Sequence, residues 1–216
     1  MPDIFDEIAE DLRAERAEKL LRKYAAPIIA AFILVVCAVG GWQAWRWWEA
    51  KQDARAANQF VAAMNVASRR SSDPKAAAAA FAPLLKSAPE GYKTLARLQA
   101  AALDAKAGNL RDATALWDDV AADRNADPLL RGLASLLWAQ HQIDQGDPEI
   151  LKARLKPLAS PDNPWHTLAQ EQLALLDMRE GKNADAKALL ERLSNDVTAP
   201  SGVRARAGGL LTRLNG

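Results

Sequence analysis

The sequence predicts an all-α protein: an N-terminal transmembrane helix followed by a solenoid of helical hairpins. Three observations predict it. Residues 24–42 form an uncharged apolar run, the apolar half of the composition is mostly Ala and Leu, and turn residues recur at a period of about 34 to 38. Ala and Leu are strong helix formers, and aromatic and β-branched residues are few, which favours helix over sheet. The 216 residues leave enough chain beyond the apolar run for one domain with a continuous core.

The run reads YAAPIIAAFILVVCAVGGW. With the next few residues it makes about twenty positions, close to 30 Å of helix, which matches a bilayer core. Lys19, Arg22 and Lys23 precede it and Tyr24 opens it; Trp42, Trp45, Trp47 and Trp48 close it. Four of the seven tryptophans thus fall where an interfacial aromatic belt belongs, and these eight residues are the expected membrane-interface anchors. Pro27 is expected in the opening turn of the span, where a missing N–H does least harm. A buried core helix would need neither charged collars nor a tryptophan cluster. A cleaved signal peptide fits poorly, because the leading region is long and acidic and the apolar run exceeds about 15 residues. The residue before Cys37 is Val36, where a lipidation signal wants a small side chain.

Lys and Arg are biased five to three across the span: Arg13, Arg16, Lys19, Arg22 and Lys23 before it, Arg46, Lys51 and Arg55 after it. The positive-inside rule then predicts a cytoplasmic N-terminus and a repeat domain on the far side. The tail 3–23 reads as a helix. Asp3 can cap it, acids lead and bases trail, and Glu15–Lys19 and Glu18–Arg22 are favourable i,i+4 pairs. Ile4, Phe5, Ile8 and Leu12 make a short apolar stripe that could dock a cytoplasmic partner or the bilayer surface, or simply ride a solvated helix running into the span.

The repeats emerge when the chain is stacked on its glycine turns, Gly108, Gly146 and Gly181. Five residues later come Ala113, Leu151 and Ala186; nine later come Trp117, Leu155 and Leu190; seven earlier come Ala101, Ala139 and Ala174. An earlier unit fits with Ser72 in the glycine place, Ala77 and Phe81. Proline turns open the following helices at Pro89, Pro128, Pro164 and Pro200. First helices are expected near 51–70, 92–107, 129–145, 165–180 and 201–214. Second helices are expected near 75–87, 109–122, 148–159 and 183–194. Pro83 and Pro157 hold the same place in units one and three and should kink or shorten those second helices. Small residues let two helices approach, and the bulky residue nine after the glycine fills the gap to the next unit. The expected organisation is a charged tail at 1–23, a span at 24–46, and a repeat domain of about four helix pairs plus a C-terminal helix at 47–216.

This small–Gly–small–bulky frame resembles tetratricopeptide repeats in degenerate form. With the DIFDEI…LRKY lead-in and the GGW…W exit, the whole chain resembles the tetratricopeptide-like family of the ancillary Sec-translocon subunit. That resemblance implies a Gram-negative inner-membrane protein that faces the periplasm, associating with the translocon and with periplasmic chaperones or client chains.

Signs of chemistry are few. The single cysteine cannot form an intrachain disulfide or a CxxC site. Neither His141 nor His166 has a metal-ligand neighbour at i+4 or a Cys to work with. No phosphate-binding loop or nucleophile elbow occurs, and the net charge of +1 draws the chain to no nucleic acid. The expectation is a non-enzyme without cofactor, metal or small-molecule substrate. Its asset is the concave face that first helices line in such arrays. The candidate contact residues there are Leu98, Gln99, Ala102, Leu136, Leu137, Gln140, Trp165, Glu171, Gln172 and Leu175, a mixed apolar and amide surface suited to a helix or extended chain. The leucines among them serve equally well as core. Two other readings compete: a scaffold for another envelope process such as cell division, outer-membrane assembly or cytochrome maturation, and a soluble periplasmic protein cleaved after Gly40.

Overall fold

A computed structural model describes residues 4–69 and 72–215, with side chains described for Pro27 and from Ile29 onward. The expected cap at Asp3, the apolar stripe and ion pairs of the tail, the interface side chains Lys19, Arg22, Lys23 and Tyr24, and Arg70 lie outside what is described. Every regular element among the described residues is helical. The chain divides into two compact units, Met1–Gln52 and Asp53–Gly216.

The first unit consists of helix α1, which spans Ile4–Ala67 and whose end from Asp53 belongs to the second unit. Pro27 sits inside α1, not at its start. The tail helix runs on into the apolar run, so the ring interrupts an established hydrogen-bond ladder instead of opening a new one. From Ile29 onward α1 contains an 18-residue window of mean hydropathy 1.5 with 0% of it buried by protein. Phe32, Ile33, Leu34, Val35 and Val36 are consecutive and each more than half exposed. Five successive residues at about 100° per step cover the whole circumference, so this helix is apolar all round. That is a helix apolar enough to span a membrane.

In the second unit the end of α1 is followed by α2 (Pro74–Ala79), α3 (Ala82–Ser87), α4 (Glu90–Lys106), α5 (Leu110–Ala122), α6 (Pro128–Gln142), α7 (Pro148–Leu155), α8 (His166–Arg179), α9 (Asn183–Asn195) and α10 (Ser201–Asn215). A 3-10 turn, Lys156–Ala159, extends α7. Successive helices pack on one another in chain order: α4 on α5, α5 on α6, α8 on α9, α9 on α10. Prolines shape the second helices as their position requires. The break between α2 and α3 falls at Ala80–Phe81 just before Pro83, and Pro157 forces the last turn of α7 into 3-10 form.

Turn chemistry fixes several of the helix ends. Asp73, Asp127 and Asp147 each precede a proline and cap the following helix; the Asp127 carboxylate accepts from Leu129 N–H at 2.7 Å and that of Asp147 from Glu149 N–H at 2.8 Å. Gly108 and Gly181 adopt φ of 82° and 74°. Each closes its helix by paired bonds, Asn109 N–H to Asp104 O at 2.8 Å with Gly108 N–H to Ala105 O at 3.0 Å, and Lys182 N–H to Asp177 O at 2.8 Å with Gly181 N–H to Met178 O at 3.1 Å. Gly146 is a glycine for another reason. Its φ is ordinary, but a Cβ there would lie 2.8 Å from the Gln142 carbonyl oxygen.

The repeat frame is the core. Ala101, Ala139 and Ala174 are fully buried, as are Ala113, Leu151 and Ala186, and as are Phe81, Trp117, Leu155 and Leu190 at the plug position. Three clusters run through the unit: Ala56, Ala63, Phe81, Leu84, Ala96 and Ala100 at the start, a central one around Trp117, and Ala174, Leu190, Leu193, Val203 and Ala207 at the end. Leu116 packs on both the first and central clusters and Leu168 on both the central and last, so the core is continuous.

Within the second unit, polar ties also cross from one repeat to the next. Arg179 donates to Ile143 O and Gly146 O at 2.7 Å each, Lys152 pairs with Glu180 at 2.8 Å, and Arg154 pairs with Asp118. Hydrogen bonds from Lys152 hold the Glu180 carboxylate below its ordinary 4.5, and those same bonds to Glu180 and then Glu149 hold the Lys152 ammonium above its ordinary 10.5.

Two predictions follow from this packing. Trp117→Ala should cost about 3–5 kcal/mol, read as a lowered denaturant midpoint, because it empties a fully buried site between hairpins. The Lys152–Glu180 tie contributes fully between pH 4.5 and 10.5, and is lost as pH falls through the depressed Glu180 value or rises through the raised Lys152 value. Glu180→Gln should therefore flatten the fall of melting temperature below pH 4.5; an unchanged acid profile would show that the tie carries no stability.

Candidate functional site

The first helices of the hairpins are the end of α1, α4, α6, α8 and α10, and they carry most of the expected contact residues. Leu98 and Leu136 are buried and belong to the central core. Gln99, Leu137 and Leu175 are half-buried, whereas Ala102 and Gln140 are exposed. Leu137 also packs against the central core from its rim. Of the expected contact residues on α4 and α6, the accessible ones are thus Gln99, Ala102, Leu137 and Gln140. Leu95 and Leu129, both exposed, add to them. Tyr92, Leu95 and Leu130 line an open groove of about 500 Å³ with Asp53.

On α8 the amide and acid are internal. Glu171 is 3% exposed and accepts two bonds from the Arg206 guanidinium on α10, at 2.5 and 2.7 Å. This fork-to-fork pairing raises the Arg206 pKa and fixes α10 on α8. Gln172 is also buried, its Oε1 without a hydrogen-bond partner. Glu171 therefore ties two helices together, a role its place in the sequence did not reveal because Arg206 lies one full repeat away.

Trp165 stands at the entry to α8, where Asn163 Oδ1 accepts its backbone N–H at 2.9 Å. Its indole N–H donates to Leu129 O at 3.0 Å, and its ring lies over Gly132. A Cβ at Gly132 would come within 2.8 Å of the Trp165 Cδ1, so the glycine inside α6 is what lets the indole seat itself. The half-buried ring forms one wall of a cavity of about 630 Å³ between α6, the 3-10 turn and the α8 entry. Arg131 and Arg154 also line it. Sequence reading missed both. The one available signal was that Trp117 and Leu155 are equivalent plugs, which brings their neighbours Asp118 and Arg154 side by side.

The two histidines are engaged locally. His141 Nδ1 lies 2.9 Å from Leu137 O and its ring 4.6 Å from Trp117; His166 Nδ1 lies 2.8 Å from Asn163 O. Within the first unit, Trp42, Trp45, Trp47 and Trp48 are all more than half exposed. Arg46 lies over the Trp42 ring at 5.1 Å and Lys51 over Trp47 at 4.8 Å, so each cation shares its position with an indole.

Residues 19–134, more than half of the sequence, match the tetratricopeptide repeat-like domain family. The chain belongs to that family. No curated protein and no solved structure matches it. The match begins ahead of the apolar run and ends within α6, so in this tetratricopeptide repeat-like protein the later hairpins extend the array beyond the matched region. Folds of this kind are typically binding modules without catalysis, presenting surface instead of a reactive centre.

Gly132→Ala should test the Trp165 seat. A helix interior gains about 1 kcal/mol from Gly to Ala, but the displaced indole should reverse the sign, for a net loss of about 1–3 kcal/mol and red-shifted tryptophan emission. A stabilised variant with unshifted emission would show that the ring moves aside freely.

Proposed function

We propose that this chain is a single-pass protein of a bacterial inner membrane whose tetratricopeptide-like array serves as a protein-interaction module at the Sec translocon. In this reading residues 1–23 are a cytoplasmic tail, 24–46 cross the membrane, and 47–216 stand in the periplasm. There the array holds periplasmic chaperones or emerging client chains near the translocon exit.

The observation that carries the reading is one chain joining a helix apolar on every side to a repeat array of a binding family. An apolar helix of this length is costly in water and stable in a bilayer. The basic residues before the apolar run, the tryptophans after it, and the five-to-three excess of Lys and Arg support the direction. The resemblance in lead-in and exit residues supports the Sec partner. Tethering has a plain physical use: confinement beside one partner raises the effective concentration for the next, so contacts too weak to persist in solution can work at the membrane. Gln99, Ala102, Leu137, Gln140 and Leu175 are the side chains proposed to meet partners on the first-helix face, with Leu98, Leu136, Glu171 and Gln172 as the packing beneath.

A photo-crosslinker at Gln140, activated in intact cells, should capture translocon subunits or periplasmic chaperones. Capture of a different envelope machinery alone would overturn the Sec assignment. A C-terminal reporter that works only in the cytoplasm would overturn the orientation.

A further inference from the structure

From the groove at the entry to α4 we infer the chemistry that the first-helix face recognises: a polypeptide segment presenting a basic side chain between apolar ones, with the base against Asp53. The inference rests on the interaction-module reading and names the class of partner for it. The groove, about 500 Å³, draws on three first helices: Asp53 from the end of α1, Gly91, Tyr92 and Leu95 from α4 with Pro89 just ahead of it, and Leu130 from α6. Leu95 is exposed, and so is Leu129, the neighbour of Leu130 in sequence. Large apolar side chains left in water beside a groove gain by being covered.

One charge stands among these walls. Asp53 is the lining side chain that is charged at neutral pH, and it is half-buried. Among the described residues its carboxylate has no ion-pair or hydrogen-bond partner. The cations in the first half of α4 are committed elsewhere, Lys93 to Glu90 at 2.5 Å and Arg97 to Asp123 at 3.0 Å. Arg55, two residues after Asp53, stands about 160° away around α1. A carboxylate that has lost part of its water without gaining a partner favours an incoming cation.

The walls then choose among cations. A divalent metal ion would find one carboxylate in the lining where it needs several oxygen ligands, and a small monovalent ion would leave Tyr92, Leu95 and Leu130 wet. An acidic segment would meet Asp53 with like charge. A lysine or arginine brings an apolar stem to the leucines and a charged head to Asp53, and apolar neighbours on the same chain cover the rest. The groove is held ready for such a segment. The Tyr92 ring lies 6.3 Å from that of Phe60, which in turn lies 5.6 Å from the plug Phe81, so the packed core fixes this wall before anything binds.

The test uses three end-capped fluorescent peptides that differ only in a central Lys, Gln or Glu, set between leucines in a neutral polar sequence. Each is titrated by anisotropy with the full chain in mild non-ionic detergent and with detergent alone. The Lys peptide should bind about fivefold more tightly than its Gln twin and about tenfold more tightly than the Glu peptide, with the differences shrinking as salt rises. Asp53→Asn should erase this ranking and Asp53→Arg should invert it, both with melting unchanged. If the charge reversal misfolds, the loss of ranking in Asp53→Asn decides. Gly91→Leu should weaken all three peptides, because a Cβ there meets nothing within 4 Å and the added side chain occupies the groove without crowding the fold. Equal binding of the three peptides, binding of none, or a ranking that survives Asp53→Asn would each overturn the inference. Crosslinks from Gln140 in intact cells read the module separately. If they form while the peptides show no ranking, this groove alone is wrong; if they fail to form, the module reading falls.

Discussion

The second unit depends on one packing relation, a bulky side chain seated over small residues where two hairpins meet. Phe81, Trp117, Leu155 and Leu190 fill that position and are fully buried, and the alanines beneath them are buried to the same degree. A single hairpin covers only one side of its plug, as Phe60 and Ala63 do for Phe81, and Ala96 and Ala100 of the next hairpin complete the cluster. Burial is therefore complete only when two hairpins meet, which makes stability depend on the junction as well as on the repeat. The continuous sharing of Leu116 and Leu168 between adjacent clusters follows directly.

Polar contacts then act on a structure that the plugs have already aligned. Trp165 to Leu129, Arg179 to Ile143, Arg154 to Asp118 and Glu171 to Arg206 each join residues 35 or 36 positions apart. That separation is the repeat period, so these ties link equivalent levels of neighbouring units. Several are partly exposed and worth little alone. Glu171 is the exception: buried, it needs Arg206, since an unpaired carboxylate at that depth would be strongly destabilising.

Sequence made the frame legible because period, glycine and proline act locally. The αL glycines at 108 and 181, the Asp–Pro starts and the breaks at Pro83 and Pro157 are decided within a few residues. What depended on distant partners was less visible. Leu98 and Leu136 had the spacing of a lining face and lie in the core, because periodicity marks a stripe without saying what covers it. Gly146 read as one more turn glycine, although steric closeness to Gln142 is its reason. Pro27 read as part of an opening turn, although a tail helix running into the span already implies a position inside one continuous helix. The arginine pair around the cavity was invisible, since neither residue belongs to a motif and only folding brings them together.

The glycine inside α6 has a wider meaning. Repeats of similar shape can dock in the wrong order or onto a neighbouring molecule. Among the described glycines, Gly132 is the one whose added Cβ would meet an indole, that of Trp165. The array is therefore addressed as well as packed: its internal similarity supplies cohesion, and one mismatched pair records which hairpin belongs beside which.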